Sequence, residues 1–136
     1  MLLTLCLPAC VKKRLNEQPE VPPNTQIYYY PKRLVWTNLI QIIRNELLIP
    51  FDYASPTKGQ FVTQEVRSGD DPSIKMKVRI SGAMTYDGDG QVVSIYKDAK
   101  VWDEENKVWK SQPTDYILET SILKRLADRL SRYKRK

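Results

Sequence analysis

Cys10 is the residue whose surroundings point most directly to a covalent chemistry. It closes the run Leu7-Pro8-Ala9-Cys10, behind the uncharged apolar stretch Leu2-Leu3-Thr4-Leu5-Cys6-Leu7. A small side chain next to the scissile bond and a leucine three positions before the cysteine are what a bacterial lipoprotein signal peptidase requires, and the new N-terminal cysteine then carries the acyl chains. Cys6 competes poorly, because bulky Leu5 precedes it. Val11 rather than aspartate follows Cys10, so the usual inner-membrane retention signal is absent and outer-membrane delivery is expected in a diderm organism. The leader is incomplete: a secretory signal has a positive n-region and an apolar stretch of about 7–15 residues, yet no Lys or Arg precedes Cys10 and the apolar run is short. Pro8 is also an unusual residue before Ala9. Either the start codon lies upstream of Met1, or the motif is accidental and the segment is the apolar N-terminus of a cytosolic protein.

Other chemistries find little support. The chain has no histidine, so imidazole base catalysis and the commonest metal ligand are both missing. Its two cysteines both fall in the leader region, leaving the mature domain without an internal disulfide, a thiolate site or a thiol nucleophile. The acids cluster where turns are expected: Asp70-Asp71 before Pro72, Asp87 and Asp89 between glycines, and Asp103-Glu104-Glu105. Asp87-x-Asp89 opens like a calcium loop but lacks the later ligands and closing glutamate, and a hairpin turn accounts for it better. Ser55, Ser68 and Ser94 have no evident base, and no glycine-rich phosphate loop precedes a helix. A non-enzymatic protein with no cofactor and no metal is expected.

The formal charge of +6 is concentrated at the ends, in Lys12, Lys13 and Arg14 and in Arg129, Arg132, Lys134, Arg135 and Lys136. Such clusters can serve nucleic acid or anionic headgroups, but solvated chain ends are the simpler reading, and in an envelope setting nucleic acid is not an expected partner. No later stretch is apolar for the ~20 residues that a spanning helix needs. From Leu15 to Thr25 the chain is polar and Pro-rich, the composition of an extended, semi-rigid spacer. The organisation read from sequence is thus a partial signal at 1–9, a lipid-anchored tether at 10–26 and a single domain at 27–136 with a basic tail.

The domain opens with the strand-favouring run Tyr28-Tyr29-Tyr30, followed by Pro31, well placed for the first turn of a helix. Trp36, Leu39, Ile40, Ile43 and Leu47 then recur at helical spacing and predict an amphipathic helix over roughly 32–47. Phe51 to Ala54 predicts a short extended piece, Ser55 to Gly59 a turn, and Gln60 to Arg67 a strand. Next, Ile74, Met76, Val78 and Ile80 alternate with Lys75, Lys77, Arg79 and Ser81, the pattern of a strand with one buried and one wet, basic face. Asp87-Gly88-Asp89-Gly90 predicts a hairpin returning through Val93, Ile95, Ala99 and Val101. A turn at Asp103 to Lys107 leads to a short edge strand, Val108-Trp109-Lys110. Thr114 is the expected N-cap of a final helix, with Asp115 favouring the positive end of its dipole and Leu118, Ile122, Leu123, Leu126 and Leu130 forming its apolar stripe.

Helix, meander and helix imply an α+β fold: a two-layer sandwich in which an antiparallel meander sheet carries the N- and C-terminal helices on one face. Its opposite face, bearing Lys75, Lys77 and Arg79, is left for solvent or a partner. Trp36-x-x-Leu39, Leu48-x-Pro50, Asp52-Tyr53-Ala54, Gly59-x-Phe61-Val62-Thr63, Lys75-Met76-Lys77-Val78, Val93-x-Ile95-Tyr96 with Trp109, and Leu118-Glu119-x-x-Ile122-Leu123-x-Arg125 follow one another in an order that resembles a family of short uncharacterised bacterial envelope lipoproteins. The architecture is similar to the helix-grip domains of the lipoprotein C subunit of the outer-membrane β-barrel assembly machine. The similarity spans about 32–132, in packing motifs, and a second helix-grip domain is absent from this sequence. It implies a lipid-anchored protein on the periplasmic face of the outer membrane, an accessory or structural subunit of an envelope complex for outer-membrane protein assembly or secretion, with no catalytic residues to carry over. Candidate partner-binding residues are Tyr28, Tyr29, Tyr30, Lys75, Lys77 and Arg79, and Cys10 is the lipidation site. The alternative is a small apolar ligand held between helices and sheet, in a pocket lined by Trp36, Trp102 and Trp109.

Overall fold

The structure, a computed structural model, describes residues 22–67 and 75–133; Cys10 and the leader, the tether before residue 22, Ile74 and the tail from Lys134 lie outside them. Alternating side chains dictate the two central strands, β5 (Met76–Tyr86) and β6 (Gln91–Asp103), which pair antiparallel along their whole length through the Asp87–Gly90 turn. Val78, Ile80, Gly82 and Met84 of β5 stand in register with Ala99, Lys97, Ile95 and Val93 of β6, and all but Lys97 are buried. These strands outrun any single neighbour, so each is flanked by two shorter ones placed end to end. β6 pairs with β1 (Thr25–Tyr28) near its start and with β7 (Val108–Gln112) near its end. On the other side β5 pairs with β3 (Gln60–Thr63) and β4 (Val66–Arg67), and β2 (Phe51–Ser55) lies outside β3. The result is an open antiparallel sheet of seven strands. β2 to β7 form the expected meander, while β1 is added at the far edge.

Two boundaries differ from the sequence reading. β1 begins at Thr25 and ends at Tyr28, so only one tyrosine of the triplet is in a strand; Pro22 and Pro23 behind it cannot donate to a ladder. The strand expected over Gln60 to Arg67 breaks at Gln64-Glu65. There Gln64 N–H turns to the Pro50 carbonyl, and the Thr63 hydroxyl takes the Ile80 N–H at 2.9 Å in place of a backbone acceptor.

The first helix, α1 (Lys32–Gln41), starts after Pro31, whose carbonyl accepts from Leu34 and Val35. It continues as a wider π-type turn over Ile42–Glu46, closed by Leu47 N–H to the Ile42 carbonyl at 3.0 Å. Leu48 then leaves in the left-handed region at φ 57. The expected helix thus ends near the right place, but its last turn is π rather than α. The second helix, α2 (Ile117–Leu130), begins three residues after the expected cap. Thr114 does not cap it: Tyr116, at φ 65, occupies the cap position. The Thr114 hydroxyl accepts from Tyr116 N–H and donates to buried Glu119, and Asp115 accepts from Ile117 N–H. Asp115 therefore supplies the first-turn acceptor, and that hydrogen bond holds its carboxyl below the ordinary value.

Both helices lie on one face of the sheet, and a single apolar core fills the space between the layers. Phe61 is at its centre, edge-on to Trp36 at 6.4 Å and to Phe51 at 5.6 Å. Gly82 permits this, because a Cβ there would stand 2.3 Å from the Phe61 ring. Leu39, Ile42, Ile43, Ile122, Leu126 and Leu130 complete the helix side.

The π turn also directs Glu46 toward α2. Its two carboxylate oxygens accept from Arg125 Nη1 at 3.0 Å and Arg129 Nη1 at 2.9 Å. Arg129 donates further to Asn38 Oδ1 at 3.0 Å and to Gln41 Oε1, tying the two helices along their upper edge. Desolvation acts to raise the Glu46 carboxyl, but the hydrogen bonds and charges of the two arginines outweigh it and hold it below its ordinary value of 4.5. A depressed folded-state value stabilises above the unfolded value and is lost as pH falls through the folded one. Glu46→Gln should therefore lower stability near neutrality by about 0.2–1 kcal/mol. That gap should close as melts are recorded from pH 6 down past the ordinary carboxylate range, and a gap that stays constant with pH would remove Glu46 as its source.

Candidate interaction face on the open side of the sheet

Opposite the helices, the same alternation presents a second set of side chains to the outside. Lys77, Arg79, Ser81 and Ala83 of β5 stand beside Lys100, Asp98, Tyr96 and Ser94 of β6, with Val62 and Arg67 continuing the rows on β3 and β4. Lys75, Lys77 and Arg79 thus share the face assigned to them from sequence. Lys77 has Lys100 on one side and Arg67 on the other, three cations in one row across three strands. Like charges directly opposite one another destabilise a sheet. Partial compensation comes from Glu65, 3.9 Å from Lys100 Nζ. Arg79 is opposite Asp98, and its buried Nε has no acceptor among the described residues.

At one end of the face, Trp102 and Trp109 are register partners and meet edge to face, ring centroids 5.3 Å apart. Lys77 Nζ lies 4.1 Å over the Trp109 ring and Lys75 Nζ 5.8 Å from that of Trp102. Cation–π contacts of this kind contribute about 0.5–1 kcal/mol at exposed sites. Trp102 Nε1–H also donates to Glu104 at 2.6 Å, and Glu104 accepts from Lys107 at 2.8 Å with Lys75 at 3.5 Å. These partners, Lys107 first and then the indole, keep the Glu104 carboxyl below its ordinary value. Neither Trp102 nor Trp109 faces the helices, and Trp36 is packed into the core on Phe61. A ligand pocket between helices and sheet lined by all three tryptophans is contradicted: two of them lie on the wrong side of the sheet. Sequence reasoning saw the lysines of this face but not its aromatic end, because pairing Trp102 with Trp109 requires the β6–β7 register.

The tyrosine triplet is split. Tyr28 is 4% exposed and donates its hydroxyl to the Leu123 carbonyl at 2.6 Å; burial pushes its ionisation up from the ordinary value of 10.0. It is a core residue joining β1 to α2, not a docking side chain. Tyr29 is exposed and Tyr30 half-buried. Both line a recess at the β5–β6 hairpin rather than the basic face. Among the described residues no group of three or more acidic, histidine or cysteine side chains is arranged to hold a metal ion, and no helix is long and apolar enough to cross a membrane. No family model matches this chain, and no curated protein matches it significantly.

Proposed function

We propose that this chain is a non-enzymatic, lipid-anchored envelope protein that serves as an accessory or structural subunit of an outer-membrane or periplasmic protein complex, and that it docks its partner on the open face of the sheet. The observation that carries this reading is the row Arg67, Lys77 and Lys100, a concentration of like charge on a sheet face that no helix or strand among the described residues covers. Such a row costs stability in the isolated domain, and an acidic partner surface would offset that cost. Exposed Tyr96 and Tyr53 on the same face add the contact area that interfaces draw from tyrosine. The lipobox at Cys10 and the Pro-rich tether supply the anchor and the reach.

The test is cross-linking in intact cells followed by affinity capture of the full chain from detergent-solubilised envelope. Lys77→Asp combined with Lys100→Asp should abolish recovery of the partner, because charge reversal at an interface replaces attraction with repulsion. The melting temperature should move little. Undiminished recovery with both lysines reversed would remove this face as the docking site.

A further inference from the structure

We propose that β7 is a docking edge, which takes an extended acidic segment of a polypeptide partner as an added strand. The proposal rests on the open-face reading for the acidity of that partner; the edge itself follows from the backbone. Ile95 N–H donates to the Asn24 carbonyl at 2.9 Å, on the β1 side of β6, and Trp102 N–H to the Lys75 carbonyl at 2.9 Å, on the β5 side. Odd-numbered residues of β6 therefore turn their backbone groups toward β1 and β7. The register is unbroken, so Ala99, Val101 and Asp103 are the hydrogen-bonded partners of Gln112, Lys110 and Val108. Trp109 and Ser111, between them, direct their N–H and C=O groups away from β6. No other strand among the described residues pairs with that edge.

Sheet edges are blunted by short strands, bulges, proline and edge lysines. β4 has two residues and β1 four; β2 carries a bulge between Phe51 and Tyr53 and is bracketed by Pro50 and Pro56. β7 runs regularly over five residues without an internal proline, and the ammonium of its one lysine, Lys110, is drawn back to Asp103 at 2.8 Å. The side chains beside the edge select the occupant. The row Arg67, Lys77 and Lys100 continues to Ser111, whose small side chain leaves Lys100 open to the next strand over. Two strand spacings, about 9–10 Å, separate Lys100 from that strand, a gap that a lysine and a glutamate span by reaching toward each other. A carboxylate there adds an anion to three cations. Two residues along on the same face, the added strand meets Trp109, where an aliphatic side chain packs. A second copy fits less well. The register in which two β7 strands use all their outward groups pairs Trp109 with Ser111 and sets Lys110 opposite its own copy, like charge on like.

Amide hydrogen exchange and NMR titration of the isotope-labelled full chain test this with the capped peptide Thr-Glu-Thr-Val-Thr-Glu-Thr, whose palindromic sequence suits either strand direction, and with its counterpart carrying lysine for glutamate. The Trp109 and Ser111 amides should exchange freely in the chain alone and become protected as the acidic peptide saturates, and the lysine peptide should leave them unchanged. Ser111→Pro removes an outward N–H and spares the hydrogen bonds to β6, a place where an edge strand tolerates proline. It should weaken the acidic peptide by about tenfold or more with little change in melting temperature, whereas Ser111→Ala, which keeps the N–H, should not. Protection of both amides before any peptide is added would show the edge already filled, by a second copy if it rises with protein concentration and by this chain's own residues if it does not, and either result would overturn the proposal. So would failure of the acidic peptide to saturate, equal binding of the lysine peptide, or full affinity in Ser111→Pro. Full affinity in Ser111→Pro that is lost in Lys77→Asp with Lys100→Asp would overturn the edge alone and leave the open-face reading standing.

Discussion

Val78→Asp should abolish the cooperative fold, while Lys77→Asp, one residue away, should leave it nearly intact. Val78 is buried in the row that joins Val66 of β4 to Ala99 of β6, and a carboxylate there meets the apolar core. An uncompensated buried charge costs on the order of 3–5 kcal/mol, against a total stability of about 5–15 kcal/mol for an ordinary domain. The transition should fall by more than about 15 °C or disappear. Lys77 points the other way. Its replacement loses the contact with the Trp109 ring but relieves repulsion from Lys100 and Arg67, so the net change should stay within about 1 kcal/mol. Urea unfolding of the two variants beside wild type measures the difference, and equal tolerance would contradict the strand register on which both layers depend.

That register was legible because a period of two is hard to imitate. Lys75 to Ser81 alternate without a break, so the sequence assigns both faces of β5 before any partner is known. The helices were legible for the same kind of reason, through Trp36 to Leu47 and Leu118 to Leu130. What local pattern could not give was any feature set by distant partners. The break at Gln64-Glu65 arises because Pro50 and Ile80 claim hydrogen bonds there, and the π turn follows from the demand that Ile42 and Ile43 enter the core while Glu46 reaches Arg125 and Arg129. Thr114 has the type of an N-cap, but left-handed Tyr116 moves the helix start past it. In the candidate site, the lysines were visible as a strand pattern, whereas the Trp102–Trp109 pair and the burial of Tyr28 depend on β6 meeting β7 and β1.

Cys10→Ser should move the protein from the membrane fraction to the soluble fraction without unfolding it. Cys10 lies twelve residues before the first described residue, Pro22, and the polar, Pro-rich segment from Leu15 to Thr25 separates it from the body of the domain. Its expected effect is confined to the anchor. A single acyl chain binds membranes only marginally, and stable attachment takes more than one chain, as a fully processed N-terminal cysteine would provide. Wild type should therefore follow membranes nearly completely and incorporate labelled palmitate, and the serine variant should do neither. The domain of both should melt at the same temperature.

The most direct measurement is the intact mass of the protein recovered from the envelope of a diderm host, expressed with the coding context that precedes Met1. The expected result is a chain beginning at Cys10 and carrying acyl groups on that residue. A chain that retains Met1, has an unmodified Cys10 and is recovered from the cytoplasm would contradict the lipid-anchored envelope role.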